Sequence, residues 1–250
     1  MKNKIEYLNR LETFSTSMPE LSSYEIEKLV EHSMCTNVLN SYDEVVDWVE
    51  KIKRQFDTEI KEIPLENLRN WKVGTKKIEH SSGKFFEVLG FRVGSNSIRE
   101  VEAGWDQPII KEHGFDGGVL CLLRTYIEEL PHYLVQARFE PGNYDHIQLS
   151  PTLQATFSNL NQEHGGSKPP YSEFFEDYSI NQNKYIFNEW LAEDGGKFYF
   201  KRNRGLVKQV DYENTYILDD SFMWLSLFQI KKLLEKNSLV NPHLSRLIFL

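Results

Sequence analysis

Apolar residues recur along this chain with two different periods, and the change of period divides it. Ser41 and Asp43 precede Val45, Trp48, Val49, Ile52 and Phe56, spaced three or four apart, which predicts a helix with one apolar face. Tyr24, Ile26, Leu29 and Val30 predict an earlier, weaker helix, separated from the first by a loop at 37–41. Pro64 opens a short turn or helix through Leu68. From Trp71 onward the texture changes. Residues 85–93, 118–126, 132–140, 146–158, 184–191 and 196–202 are rich in β-branched and aromatic side chains and are punctuated by Gly, Asn and Pro, as strands are. The tail returns to helix: Asp220 or Ser221 caps a run holding Phe222, Leu225, Phe228, Leu233 and Leu234, with Lys231, Lys232 and Lys236 at the end where cations suit the helix dipole. The expected class is α+β, a mixed or antiparallel sheet flanked by helices. Residues 1–68 are expected to form an N-terminal helical extension to a module spanning 69–250.

The alternation is cleanest between Tyr133 and Ser158. Tyr133, Val135, Ala137 and Phe139 share one face of a strand, and Gln136, Arg138 and Glu140 the other. After the turn Pro141-Gly142-Asn143 the period resumes, with Ile147, Leu149, Leu153, Ala155 and Phe157 apolar and Gln148, Ser150, Thr152, Gln154, Thr156 and Ser158 polar. Pro151 interrupts the ladder and marks an edge or bulge. The polar series is uncharged, in a chain whose helices use Lys and Glu freely. Amides and hydroxyls grip neutral hydroxyls at small desolvation cost, which suits a sugar or a nucleobase. The plainer reading is a solvated edge strand whose Thr and Ser reflect β-propensity.

Composition narrows the partners. Lys and Arg number 29 against 37 Asp and Glu, a net charge of −8, so neither nucleic acid nor a membrane surface is an expected partner. The two cysteines, Cys35 and Cys121, form neither a disulfide framework nor a thiolate zinc site. The apolar runs fall short of a membrane span and the first residues lack a signal-peptide core, so a cytoplasmic protein is expected. There is no glycine-rich dinucleotide fingerprint, no phosphate-binding P-loop and no Gly-x-Ser-x-Gly elbow. The seven histidines are scattered, without metal-ligand spacing, so no metal or cofactor is expected.

Several residues carry candidate chemistry. Arg138 and Glu140 lie two apart on one face, either as a simple ion pair or as an oxyanion-binding cation beside a proton-transfer carboxylate. His164 precedes Gly165-Gly166, where backbone can approach a ligand, and an imidazole titrates near neutrality. If residues 198–204 form a strand, Arg202 and Arg204 share a face and can clamp a diphosphate; the plainer reading is a surface strand end balanced by Asp194 and Asp211. Trp105, followed by Asp106-Gln107-Pro108, offers an aromatic platform, although a Trp is more often core.

Three strings resemble the signature of the NDP-hexose 2,3-dehydratases: Gly104-Trp105-Asp106-Gln107-Pro108-Ile109-Ile110, Gln136-Ala137-Arg138-Phe139-Glu140-Pro141-Gly142-Asn143, and Gln148-Leu149-Ser150-Pro151-Thr152-Leu153-Gln154-Ala155-Thr156. His164-Gly165-Gly166, Pro170-Tyr171, Arg202-Asn203-Arg204 and the stretch from Val240-Asn241 to Arg246 are in keeping with it, so the resemblance runs from about residue 40 to the C-terminus. It implies a Nudix-like fold without the metal-binding glutamate box, and elimination of water across carbons 2 and 3 of a nucleotide-linked, usually thymidine-linked, 4-keto-6-deoxyhexose. The product is a 3,4-diketo-2,6-dideoxy sugar that a 3-ketoreductase consumes. In that setting His164 or Glu140 would be the base, Arg138 the enolate stabiliser and Tyr171 the acid. Gln107, Gln136, Asn143, Gln148, Thr152, Gln154 and Asn159 would hold the substrate, Arg202 and Arg204 its diphosphate, and Trp105 its base.

Two departures from the pattern matter. Typical members carry tandem copies of the module where this chain has one, so a homodimer is expected to replace the missing copy. The family usually has Lys where Arg138 stands, and Arg keeps the charge but does not deprotonate. The competing expectations are a non-catalytic sugar-nucleotide-binding module, or a half-subunit that pairs with another chain. A Nudix-type pyrophosphohydrolase would need a carboxylate-bound Mg²⁺, for which no fitting acidic cluster is seen.

Overall fold

A computed structural model describes residues 2–36, 39–94, 103–112, 116–163, 165–193, 196–215, 217–236 and 238–249. Three helices open it: α1 (Lys2–Ser17), α2 (Ser23–Ser33) and α3 (Tyr42–Gln55). Ser22 caps α2 with Glu25 closing a capping box, and Ser41 does the same for α3 with Glu44, so each helix starts where its backbone donors find a side-chain partner. Pro64 leads into a single 3₁₀ turn, Leu65–Asn67. Four strands, β1 (Trp71–Val73), β2 (Lys77–His80), β3 (Glu87–Val93) and β4 (Trp105–Lys111), form an antiparallel meander.

The main sheet follows. It is built from β5 (Asp116–Ile127), β6 (Leu130–Phe139), β7 (Ile147–Ser150) and β8 (Leu153–Thr156), a helical turn α4 (Phe157–Leu160), then β9 (Phe187–Ala192), β10 (Arg202–Gln209) and β11 (Phe222–Leu225). Its spine runs β11-β6-β5-β10-β9, with β7 added to β6 and β8 to β5. All pairs are antiparallel except β10 with β5, so the sheet is mixed and the class is α+β. Helices α5 (Leu227–Leu234) and α6 (Pro242–Ile248) complete the chain.

The alternation of β5 sorts the core onto two faces. Leu120 and Leu122 join Val45 and Val49 of α3, Ile230 of α5 and Leu244 and Leu247 of α6 in one cluster. Val119, Cys121 and Leu123 join Tyr171, Phe175, Tyr185 and Trp224 in the other. Strands β5 and β6 pair only from Leu123–Leu134 to Ile127–Leu130; beyond that point β6 turns to β7 and β5 to β8, and the sheet forks. Gly118 permits the closing of β8 onto β5, because a Cβ there would lie 2.1 Å from the carbonyl oxygen of Ala155.

Three sequence expectations need correction. Residues 146–158 are two short strands and a helical turn, with Ile147 and Leu149 in one core cluster and Leu153 and Ala155 in the other. Residues 222–225 are a strand paired with β6, and the tail helix starts at Leu227 behind a Ser226–Gln229 capping box; a short all-apolar run fits either state. The strand signal over residues 196–202 is displaced, since β10 begins at Arg202 and runs on to Gln209.

The first 68 residues are also not packed as an appendage. Trp48 Nε1 donates to the Asp220 carbonyl at 2.7 Å, and α3 fills the main core. Helix α2 is bound to the sheet by a buried charge cluster. Arg124 of β5 donates to Glu27 at 2.6 Å and Glu31 at 2.9 Å, Tyr133 of β6 donates to Glu31 at 2.7 Å, and Lys28 donates to the Ile248 carbonyl at 2.6 Å. Side chains of Arg124 and Glu31 are 2% and 4% exposed. Removing one partner leaves a buried charge short of compensation. Glu31→Ala is therefore expected to lower unfolding free energy in urea by about 3–5 kcal/mol, toward the lower value because Glu27 remains.

Candidate active site

The mouth of the fork is a cavity of about 240 Å³. Arg138 enters it from β6 and Glu140 from just beyond that strand, while Gln154 and Thr156 enter from β8 and Asn159 from α4. Glu193, Lys201, Asn203 and His243 complete the lining. Arg138 Nε donates to Glu140 Oε1 at 3.0 Å, and Gln154 Nε2 donates to the same oxygen at 3.0 Å. Behind Gln154, its Oε1 accepts from Ser150 Oγ at 3.1 Å and from Asn241 Nδ2 at 3.3 Å. Asn241 is also the N-cap of α6, accepting from the Leu244 amide at 2.8 Å. The polar face of β7 and β8 is therefore wired to the start of α6. Backbone bonds from Leu149 to Leu239 and from Asn241 to Leu149 hold that helix against the fork.

The opposite wall carries a second set of charges. Lys201 Nζ lies 2.7 Å from Glu112 and 3.3 Å from Glu193, with side chains only 13%, 18% and 9% exposed. Asn203 Nδ2 donates to Glu193 Oε2 at 2.8 Å. Gly117 makes room for Lys201, since a Cβ there would fall 2.5 Å from Lys201 Cε. His243 of α6 stands with Nε2 4.0 Å from Glu193 Oε1. Burial holds its imidazole below the ordinary histidine range, against the pull of Glu193 and Glu140. A second hollow, of about 340 Å³, adjoins the first, sharing Thr156 and Asn159; Lys84, Phe85, Phe86, Phe157 and Asn161 line it.

The structure brings together Arg138, Glu140, Gln154 and Asn159 from the residues singled out in the sequence. His164 lies outside the described residues. The rest do not line this cavity. Thr152 is 1% exposed, and its hydroxyl accepts from the Leu123 amide at 2.9 Å and donates to the Leu134 carbonyl at 2.5 Å. Tyr171 is 2% exposed in the second core cluster, edge-on to Phe222, and its hydroxyl accepts from the Leu218 amide at 3.1 Å. Trp105 Nε1 is bound by Gln107 Oε1 at 2.8 Å on the separate four-stranded sheet. Gln148 donates to the Ser238 carbonyl at 2.6 Å. Asn143 closes the turn after β6 through its backbone, and Gln136 sits in register with Ser150 and Phe222.

Arg202 and Arg204 do share a face, with guanidinium carbons 4.0 and 5.4 Å from the Trp190 ring. Strand alternation then points Asn203 the other way, into the cavity, and the arginine pair away from it. Arg204 is held by Asn188, through Oδ1 at 2.5 Å and the carbonyl at 2.7 Å. Lys201, Glu193 and His243 were not singled out in the sequence, because no periodic or spacing signal links residues so far apart. The one hint was that Asn203 and His243 fall inside strings already in keeping with the family. Among the described residues no three His, Cys, Asp or Glu side chains gather as a metal site, and no helix is long and apolar enough to cross a membrane.

With this geometry in place, comparison identifies the class. The chain belongs to the NDP-hexose 2,3-dehydratase family, whose model matches residues 42–249. Similar proteins include three that are each named dTDP-4-dehydro-6-deoxy-alpha-D-glucopyranose 2,3-dehydratase. That of Saccharopolyspora spinosa is 38% identical over 185 residues, covering 73% of this chain and 36% of that protein. The Amycolatopsis orientalis protein is 32% identical over 208 residues, covering 80% of this chain and 42% of its own length. The Streptomyces violaceoruber protein is 35% identical over 182 residues, covering 71% and 39%. This chain thus spans well under half the length of these relatives. Among solved structures, an Ap4A hydrolase of C. elegans overlaps 48% of this chain and 87% of that one at 12% identity, with a TM-score of 0.29.

The placement of Thr152 has a measurable consequence. Thr152→Val leaves a buried amide and a buried carbonyl without their partner, and is expected to lower unfolding free energy in urea by about 1–3 kcal/mol. Asn159→Ala, at an exposed position, is expected to stay within about 0.5 kcal/mol.

Proposed function

We propose that this protein is a carbon–oxygen lyase that removes water across carbons 2 and 3 of a nucleotide-linked 4-keto-6-deoxyhexose, with dTDP as the nucleotide. The observation that carries this reading is convergence: two family strings that lie on separate strands, residues 136–143 and 148–156, deliver Arg138, Glu140, Gln154 and Thr156 to one cavity. The relatives' names supply the substrate class. The sugar fits the smaller cavity among amides and charges. The nucleotide end fits the adjoining hollow, where Phe85 and Phe86 offer aromatic surface and Lys84 a cation for phosphate.

The chemistry needs a base for the carbon 3 proton, which the neighbouring ketone acidifies, and a positive group for the ketone oxygen as it gains charge. It also needs a proton for the hydroxyl that leaves carbon 2. Arg138 suits the second task. Its guanidinium is about one-third exposed at the cavity, oriented by Glu140, and stays charged throughout. A fixed cation aimed at a developing oxyanion is a large contributor to such reactions. Glu140 receives both Arg138 and Gln154 on a single oxygen, which makes it an effective anchor for the guanidinium. The resulting enol rearranges to the 3,4-diketone, and a reductase acting at carbon 3 is the natural consumer. A homodimer, in which a second copy of this chain supplies another module, is part of this reading.

Incubation with dTDP-4-keto-6-deoxyglucose in deuterated buffer tests the reading. Entry of deuterium at carbon 3, or loss of substrate with release of free dTDP, is expected; tight binding with neither outcome would replace the lyase with a binding module. Arg138→Ala is expected to reduce turnover by about a hundredfold or more.

A further inference from the structure

The cavity contains more proton-handling groups than the family strings account for, and they differ in availability. Glu140 accepts from Arg138 and Gln154, and Glu193 accepts from Asn203 and pairs with Lys201. Both carboxylates are thus already engaged by donors of the protein itself. Arg138 does not release its proton. His243 differs from all of these. Its Nδ1 is sealed from solvent and has no hydrogen-bond partner among the described residues, and its side chain is 17% exposed at the cavity wall. The nitrogen turned to the interior of the site is therefore Nε2, the one that faces Glu193 at 4.0 Å. Buried imidazoles normally satisfy their nitrogens; here no bond at Nδ1 ties the ring to the core, and Nε2 is presented to a polar cavity.

The surrounding structure fixes its position. His243 and Arg246 lie three apart, on one face of α6. Arg246 donates to the carbonyl of Ala192, the residue before Glu193, at 2.5 Å. The same contact that seats the helix therefore brings the carboxylate beside the imidazole. Asn241 caps α6 while its amide reaches Gln154, so the far side of the ring's support is the Arg138–Glu140 wall. The charged groups facing His243 are Glu193 beyond β9, Arg138 from β6, Glu140 just beyond that strand, and Lys201 before β10.

We propose that His243 is the catalytic base of the elimination, taking the carbon 3 proton at Nε2 while Glu193 stabilises the imidazolium that forms. This rests on the dehydratase reading above. The balance closes on one group. The C3–H bond breaks and its proton goes to Nε2, with the electron pair held as the enolate facing Arg138. The C2–O bond then breaks as the enolate collapses to the C2=C3 double bond, and the imidazolium returns its proton to the departing hydroxyl as water. No net proton, electron or co-reactant is required. Because burial disfavours the imidazolium, His243 is neutral at neutral pH, and the rate is expected to fall as the solution is acidified through a value below that of free histidine.

The test follows two readouts, deuterium entry at carbon 3 and loss of water, in the wild type and in His243→Gln and His243→Asn. Calorimetry with dTDP selects the variant whose affinity stays within about threefold of wild type; in it both rates are expected to fall about 10²–10⁴-fold, with KM little changed. The acidic fall in the wild-type pH profile should be missing from the variant's residual rate. If the wild type eliminates water and the variant keeps its rate within about tenfold, with the acidic fall intact, His243 is not the base and the dehydratase reading stands. If the wild type neither exchanges nor eliminates, both readings fall together.

Discussion

The hydroxyl of Thr152 occupies the point on which this structure turns. Leu123 and Leu134 are the last facing pair of the β5–β6 ladder, and the hydroxyl takes the amide of one and serves the carbonyl of the other. A ladder that ended without such a bridge would leave two backbone groups unpaired in a fully buried place. With the bridge, the strands are free to part. Pro151, which cannot donate to a ladder, ends β7 immediately before it, and the chain crosses from β6 to β5. The opening between the strands is the cavity. One buried hydroxyl thus converts a continuous sheet, which would have nowhere to put a substrate, into a forked one.

That arrangement explains why the polar series between residues 148 and 158 has two jobs rather than one. Gln154 and Thr156 reach the cavity, while Ser150 and Asn241 hold Gln154 in place and Thr152 holds the fork. Uncharged side chains suit these tasks, since a Lys or Glu at the buried positions 150, 152 and 241 would need a dedicated partner. The charges are confined to pairs: Arg138 with Glu140, and Lys201 with Glu112 and Glu193. The site can therefore present opposite signs to a substrate without leaving any described ion unaccompanied.

Local rules read well from the sequence. The α3 apolar stripe and the apolar face of β6 follow from periods of three to four and of two, and Ser41 before the stripe marks the helix cap. What periodicity does not carry is the partner of a strand. Residues 146–158 look like one ribbon because the alternation survives Pro151, yet the pairing changes and the faces exchange. The same limit applies to Arg202 and Arg204. Alternation placed them correctly on one side, but only the position of β10 beside β5 shows that the cavity is on the other side, with Asn203. Thr152 and Tyr171 are polar by type but lie in the core, where their hydroxyls satisfy backbone groups.

The residues that line the cavity fall into two kinds. Arg138, Glu140 and Gln154 belong to a dense string, and their nearness in sequence survives as nearness in space because strands β6, β7 and β8 are joined by short connections. Glu193, Lys201, Asn203 and His243 come from the last quarter of the chain and meet the first group only because β10 runs parallel to β5 and α6 is bridged to β7 through Leu149 and Val240. Parallel pairing of this kind needs a crossover, and the long segment between β8 and β9 supplies it while covering the second core face with Tyr171, Phe175 and Tyr185. The cost of that route is conformational entropy. Its return is a cation and a carboxylate placed opposite the first pair, with an imidazole between them, which neither half of the fork could provide alone.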